Sequence, residues 1–173
     1  MGGDLVVPGR EVTFADNELI VSKTDLQGRI TYCNDVFVRV SGYREAELLG
    51  KPHNVIRHAA MPRTIFRLLW ETIGRGEEIF AYVVNRCKNG DHYWVLAHVT
   101  PDWAADGSPI GYHSNRRVAR REALAAIRPL YARLAEAEAG AADRKAGLEA
   151  GGALLESILA EKGKSYEQFV LEL

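Results

Sequence analysis

The most informative stretch of this sequence is IFAYVVNRCKNGDHYWVLAHVT, which runs from residue 79 to residue 100. Its two halves are rich in β-branched and aromatic residues, which favour strands. Asn89-Gly90 lies between them, and an Asn-Gly pair flanked by such runs is the strongest short-range signal for a β-hairpin. The stretch therefore predicts antiparallel strands over 79–87 and 92–100, the second ended by Pro101.

The neighbouring segments extend this hairpin into a sheet. Downstream, Asp106-Gly107 predicts a second turn, followed by a strand over 110–117. Upstream, the pattern predicts strands over 18–23 and 29–33 around a turn at Gly28, and then helices over 34–41, 44–49 and 64–74. Two strands, several short helices and three further strands indicate an α+β fold, in which short helices cover one face of a five-stranded antiparallel sheet.

The composition changes near Arg117, where Ala, Leu, Glu and Arg begin to dominate. These residues are strong helix formers, so C-terminal helices are expected to follow the sheet. The predicted organisation is an N-terminal cap over 1–17, a main domain over 18–118 and a helical tail over 119–173. A capping-box pattern at Ser165 predicts the start of a short last helix.

The tail carries one apolar stripe of helical spacing, formed by Leu124, Ile127, Tyr131 and Leu134. Pro129 is expected to kink this helix or to mark the first turn of a new one. The stripe could fold back within the chain or pair with a second chain. We expect a homodimer with this stripe as its contact, because exposed apolar patches mark interaction sites and two-fold pairing is the commonest way to cover them.

Composition and charge exclude several classes of protein. Hydrophobic residues make up 47% and charged residues 26%, with a net charge of −1, so the chain is globular and no nucleic-acid partner is expected. No apolar run approaches the ~20 residues of a membrane-spanning helix, and the first residues do not resemble a signal peptide. A cytoplasmic location without membrane insertion is expected.

Cys33 and Cys87 form no Cys-x-x-Cys pair, so neither a disulfide framework nor a zinc site is predicted.

Several motifs resemble one family. The segment GRITYCN (28–34) and the segment SGY (41–43) look like the front half of a PAS domain. The segments PHNVIRH (52–58) and VNRCKNGDHYWV (84–95) are similar to the FAD-binding PAS domains of bacterial aerotaxis and energy-taxis receptors. The resemblance covers roughly 14–118, and the tail also looks like the tails of short, stand-alone members. It implies non-covalent FAD, redox or oxygen sensing, and a chemotaxis receptor or other signalling protein as partner.

The resemblance also implies a set of cofactor-binding residues, in which Arg57 would hold a pyrophosphate in a fork of donors and His58 would add a hydrogen bond. Asn85 shares a strand face with apolar neighbours and needs a partner, which a flavin ring edge or the backbone of a loop could supply. Asn34 could instead cap a helix. The whole set comprises Asn34, Asn54, Arg57, His58, Trp70, Ile79 and Asn85.

This chain departs from the aerotaxis pattern at two positions. Ala60 stands where those receptors carry Asp, and Ile79 stands where they carry a Trp that packs against the flavin. No Cys lies within 54–58 to form a flavin photoadduct, and none of the five histidines lies in a haem-binding motif. Because of the departures at Ala60 and Ile79, the alternative is a cofactor-free PAS module for dimerisation or protein docking. With no catalytic constellation in the sequence, we do not expect an enzyme.

Overall fold

A five-stranded sheet lies at the centre of the molecule. A computed structural model describes residues 3–173. Met1 and Gly2, where the predicted N-terminal cap begins, lie outside the described residues. The strands are paired antiparallel in the order β2-β1-β5-β4-β3. The α+β class and the five-stranded sheet are confirmed. The strands are β1 Ile20–Thr24, β2 Ile30–Cys33, β3 Ile79–Arg86, β4 His92–Trp103 and β5 Pro109–Val118.

Helices of 4 to 12 residues connect β2 to β3, and two helices of 19 residues and one of 6 residues follow β5. Gly42 ends the first helix with a left-handed φ of 74°, as its position in the sequence predicts. The helices are α1 Asp35–Ser41, α2 Glu45–Leu48, α3 Arg63–Gly74, α4 Arg121–Ala139, α5 Arg144–Lys162 and α6 Tyr166–Leu171, with a 3-10 turn at His53–Ile56.

The hairpin between β3 and β4 forms as predicted, with Gly90 at a φ of 92°. The prediction that Pro101 ends the following strand is wrong, because β4 continues to Trp103. Pairing with β3 stops at Ile79 opposite Val99, whereas Pro101 still pairs with β5. At Pro101, β4 therefore has no partner strand on its β3 side. A proline is tolerated there because no hydrogen bond between strands is lost on that side.

The tail covers the β3 edge of the sheet. The Tyr131 hydroxyl of α4 donates a hydrogen bond of 2.5 Å to the Tyr82 carbonyl oxygen of β3. The Tyr131 ring also packs against Trp94, with the ring centroids 6.2 Å apart. A helix across an edge strand shields its unpaired backbone groups from other chains. The predicted capping box is present, since the Ser165 and Gln168 side chains each accept the other's backbone N–H at the start of α6.

The apolar stripe of α4 is not an exposed contact. Leu124, Ile127, Tyr131 and Leu134 are each at most 4% exposed within the single chain. The expectation that they form a dimer contact is therefore wrong, because the tail folds back and buries them. Pro129 lies inside α4, which continues through it, so Pro129 does not begin a new helix.

Membrane-spanning helices and metal-binding clusters are both absent from residues 3–173. No helix there combines the length and the apolar character that crossing a membrane requires. No group of His, Cys, Asp and Glu side chains in this range is arranged to hold a metal ion. Cys33 and Cys87 are both free and buried.

Candidate functional site

A cavity of about 250 Å³ lies between the sheet and α3. One helix and two strands build its apolar walls, because α3 turns one side toward the sheet and the strands alternate their side chains. The wall residues are Phe66, Leu69 and Ile73 from α3, Val83 from β3, and Ala97 and Val99 from β4. The polar lining residues include Ser22, Thr24, His53, Asn54, Arg57, Asn85, Ser114 and Arg116.

Arg116 is the most unusual of the lining residues, because its side chain is charged and only 2% of the residue is exposed. Its Nη2 donates a hydrogen bond of 2.5 Å to Ser22 Oγ, and its guanidinium lies 4.5 Å from the centroid of the Phe37 ring. Within residues 3–173, the buried Nε and Nη1 atoms have no hydrogen-bond partner. Burial lowers the pKa of Arg116 to about 10, so the guanidinium stays charged at neutral pH.

His53 lies on the other side of Ser22, with its Nε2 3.1 Å from Ser22 Oγ. Burial, and then the nearby charge of Arg116, lower the pKa of His53 to about 3, so the imidazole is neutral at neutral pH. Because Arg116 already donates to Ser22 Oγ, the Ser22 hydroxyl is free to donate to Nε2 of His53. Ser22 therefore joins a fixed cation to a neutral imidazole.

Two further buried hydroxyls, Thr24 Oγ1 and Tyr93 Oη, have no hydrogen-bond partner in the part of the chain that the structure describes. A buried polar group without a partner costs about 1–3 kcal/mol. Together with Arg116, these hydroxyls place several unpaired hydrogen-bonding groups in and beside the cavity. The arrangement suits a ligand that presents polar edge atoms there.

The structure brings Arg57 and Asn85 together. Their backbones form an isolated antiparallel bridge, and both side chains line the cavity. The Arg57 guanidinium lies over the Phe66 ring, 4.2 Å from its centroid. Burial is the main cause that lowers the pKa of Arg57, and the nearby Arg144 adds to it.

Trp70 and Asn54 lie where the cavity opens to solvent, since both are exposed. The Trp70 ring meets Tyr112 edge to face, with the centroids 5.7 Å apart. It also lies against Gly28, where a Cβ would come within 2.9 Å of the indole. Gly28 has a φ of 78°, so both its conformation and its contact with Trp70 favour glycine.

Three predicted site residues lie outside the cavity lining. Asn34 Oδ1 accepts the backbone N–H groups of Phe37 and Val21, so its side chain caps α1 and ties it to β1. His58 is buried, and its Nδ1 accepts the backbone N–H of Ala60 at 3.0 Å. Ile79 is buried at the start of β3. Of the seven predicted residues, Asn54, Arg57, Trp70 and Asn85 share the cavity, and Asn34, His58 and Ile79 do not.

The sequence interpretation did not single out Arg116, His53 or Ser22. The period of two along β5 was a usable signal for Arg116, because Tyr112, Ser114 and Arg116 fall on one face of that strand. An arginine on the inner face of a predicted strand is unusual enough to be noticed. No local pattern indicated Ser22, because a single serine in a short strand is common.

Comparisons with known proteins agree with this architecture. Residues 30–116 match the family described as PAS fold. The chain is 46% identical over 125 residues to the aerotaxis receptor of Escherichia coli (strain K12), a match covering 72% of this chain and 24% of the receptor. It is 30% identical over 95 residues to the nitrogen fixation regulatory protein of Klebsiella pneumoniae, covering 54% of this chain and 19% of that protein. The chain thus spans about a quarter or less of the length of these two relatives.

Solved structures share the fold at low sequence identity. A light-oxygen-voltage domain studied with a flavin analogue superposes with a TM-score of 0.57 at 17% identity, covering 63% of this chain and 82% of that one. At this identity the likeness concerns the fold alone, and it supports the fold class predicted from the sequence.

Proposed function

Because this chain belongs to the PAS-fold family, we propose that it is a sensor that binds FAD non-covalently and signals redox state or oxygen to a partner protein. The observation that carries the proposal is the buried guanidinium of Arg116, whose Nε and Nη1 have no partner within residues 3–173. A charged group is expensive to bury and is rarely kept without a partner. The carbonyl and nitrogen atoms at the edge of a flavin ring are partners of the required kind.

The cavity residues fit the flavin ring. The aliphatic walls from α3, β3 and β4 suit a flat aromatic system, and Asn85 offers an amide that can both donate and accept. The volume of about 250 Å³ is small for a whole dinucleotide, since ligand pockets usually begin at roughly 300 Å³. We therefore assign the ring to the interior, and the phosphates and adenine to the mouth, near Arg57 and Trp70. Bound FAD would supply reversible electron transfer.

The relatives support a signalling role. Two of the similar proteins are an aerotaxis receptor and a nitrogen fixation regulatory protein, and the sequence motifs resemble those of FAD-binding energy-taxis domains. We propose that residues 18–118 form the sensory domain, that the tail over 119–173 transmits its state, and that the partner is a chemotaxis receptor or another signalling protein in the cytoplasm. A homodimer remains part of the proposal, through a surface other than the buried stripe of α4.

The Ser22–His53 pair is the feature of the cavity nearest to an enzyme site, because a serine beside a histidine can act as nucleophile and base. A base works well when its pKa lies near the operating pH. The pKa of His53 is lowered to about 3, so it is a poor base at neutral pH. This favours a binding role over catalysis.

The visible spectrum of the purified protein tests the proposal. We expect a flavin spectrum, with FAD released into solution on denaturation. Arg57→Ala and Asn85→Ala should each lower FAD affinity by roughly 5- to 150-fold, which corresponds to about 1–3 kcal/mol for a lost hydrogen bond. Arg86→Ala is a matched control, because Arg86 is exposed next to Asn85 and does not line the cavity.

Other outcomes contradict the proposal in different ways. Full FAD retention by both cavity variants would remove Arg57 and Asn85 from the site. A colourless protein that takes up no added FAD would overturn the FAD assignment and support the cofactor-free module, consistent with Ala60 and Ile79 at the two departing positions. A Soret band would replace the flavin with haem.

A further inference from the structure

Glu138, in the last turn of α4, makes an unusual contact with the start of α3. Its side chain is 6% exposed. Oε1 accepts hydrogen bonds from the Thr64 backbone N–H at 2.7 Å and from the Thr64 hydroxyl at 2.8 Å. Oε2 accepts from the Arg63 backbone N–H at 3.0 Å and from Arg63 Nε at 3.1 Å. One carboxylate of the tail thus binds the first two residues of another helix.

This contact serves as the N-terminal cap of α3. The first N–H groups of a helix have no partner within the helix, and Pro62, which precedes α3, offers no side-chain cap. A negative charge at this end is also favoured by the helix dipole. Burial alone raises the pKa of Glu138, but the hydrogen bonds from Thr64 and Arg63 outweigh it and lower the pKa, so the cap is charged at neutral pH.

Two glycines of α5 allow the tail to approach this closely. A Cβ at Gly147 would lie 2.6 Å from the Glu138 carbonyl oxygen, and a Cβ at Gly151 would lie 2.1 Å from Thr64 Oγ1. Both distances are far below van der Waals contact. The adjacent Gly152 has open space around it, so a larger residue would fit there. Glycine is therefore needed at the two positions of α5 that approach Glu138 and Thr64 closely, and not at Gly152.

The helix that the tail caps is also a wall of the cavity. Phe66, Leu69, Trp70 and Ile73 of α3 all line it. The Arg57 guanidinium lies on Phe66, within one helical turn of the residues that Glu138 binds. The tail therefore fixes α3 at its N-terminus, while a ligand in the cavity would contact the same helix along its side.

We propose that Glu138 is a positioning residue of the ligand cavity, and that docking of the tail on α3 and occupation of the cavity form one linked equilibrium. A ligand state that favours the present placement of α3 strengthens the docking, and a state that shifts α3 loosens the tail from α3. This coupling is reciprocal. If the ligand strengthens docking of the tail by a given factor, the docked tail strengthens ligand binding by the same factor. The identity of the ligand rests on the proposed function, but the contact itself does not.

Hydrogen exchange and FAD binding of the full-length protein test this inference, with Glu138→Gln as the main variant. We expect faster exchange at the Arg63 and Thr64 amides and throughout α5, together with FAD binding that is weakened about tenfold, within the range usual for allosteric coupling. Glu136→Gln is the matched control, because Glu136 is exposed on the same turn of α4. It should change neither quantity. In the wild-type protein, FAD should slow exchange in α5, and in the Glu138→Gln variant it should do so much less.

A pair of glycine variants provides a second test that leaves the carboxylate in place. Gly151→Ala should push α5 away from Thr64 and reproduce both effects of Glu138→Gln. Gly152→Ala, one residue along the same helix, should reproduce neither.

The possible results separate the two proposals. Faster exchange in α5 with unchanged FAD affinity, in either Glu138→Gln or Gly151→Ala, would overturn the coupling. Unchanged exchange in both variants would overturn the docking role itself. A wild-type protein that takes up no FAD would overturn the proposed function. In that case hydrogen exchange in α3, measured on the variants without ligand, would still decide whether Glu138 holds the cavity wall in place.

Discussion

Arg116 illustrates how a single residue can be costly for stability and still be retained. Its guanidinium has one hydrogen bond, to Ser22, and the face of Phe37 as its only other evident support within residues 3–173. A cation–π contact is worth roughly 0.5–2 kcal/mol, which is less than the several kcal/mol that burying an ion costs. The balance suggests that Arg116 serves a ligand rather than the core.

Replacing Arg116 with Met should therefore separate binding from stability. We expect Arg116→Met to keep or raise the free energy of unfolding of the ligand-free protein, because an unpaired buried charge is removed. FAD affinity should fall. The midpoint potential of bound FAD should fall by about 30–60 mV, since a cation favours the more negative reduced ring and a lost charged hydrogen bond of about 1.5–3 kcal/mol corresponds to that shift.

Arg117→Met is the control for this prediction, because Arg117 is an exposed arginine on the same strand. Denaturant titration, FAD titration and a spectroscopic redox titration measure the three quantities. A midpoint potential equal to that of the wild-type protein in Arg116→Met would show that the guanidinium does not face the ring.

At the scale of helices and strands, the sequence predicts what is encoded locally. The Asn89-Gly90 hairpin and the left-handed cap at Gly42 depend on neighbouring residues, and both are found where they were predicted. The prediction for Pro101 is wrong because the surrounding structure decides whether a missing N–H matters. The cap of α3 by Glu138 was beyond sequence reasoning, since donor and acceptor lie in distant segments and no local pattern joins them.

The candidate site shows the same limit. Arg57 and Asn85 were selected by motif, and the backbone bridge that joins them depends on how a loop meets an edge strand. Asn34, selected by the same reasoning, instead caps α1 in the structure, which was the alternative left open for it. A motif identifies polar residues worth attention, but burial and pairing across the sheet determine which of them line the cavity.

Helix α4 provides a test of whether its stripe is part of the core or a contact between chains. Leu134 is 0% exposed in the single chain, so Leu134→Ala should lower the free energy of unfolding by about 2–5 kcal/mol. The molar mass from light scattering should not change. Leu171→Ala, at an exposed position of α6, is the control. A halved molar mass with unaffected unfolding would instead restore the stripe as a dimer contact.

At the scale of the whole molecule, pH should act on stability through groups that the fold keeps in one charge state. The pKa of Glu138 is lowered, and the pKa of Glu47 is lowered to about 2 by its hydrogen bonds to Lys88 and Arg44. Carboxylates of this kind contribute stability above their unfolded pKa, and lose it as the pH falls through the folded value. This loss is confined to acid, below the unfolded carboxylate pKa of about 4.3.

His53 should make the molecule sensitive to pH over a less acidic range. Its pKa is about 3 in the folded protein and about 6.5 in an unfolded chain. Between these values the unfolded state binds a proton that the folded state does not. The free energy of unfolding should therefore decrease as the pH falls from about 6.5, by up to about 1.4 kcal/mol per pH unit.

Replacing His53 with Asn keeps a partner for Ser22 but removes the titrating group, so the decrease between pH 6.5 and 5 should become shallower. Below about pH 4.5 the carboxylates should dominate in both proteins. Urea titrations at intervals of half a pH unit measure the slope. If His53→Asn retains the full wild-type slope, the proton is taken up elsewhere. The imidazole at the cavity would then not be held neutral by the fold, and His53 could serve as a base near neutral pH.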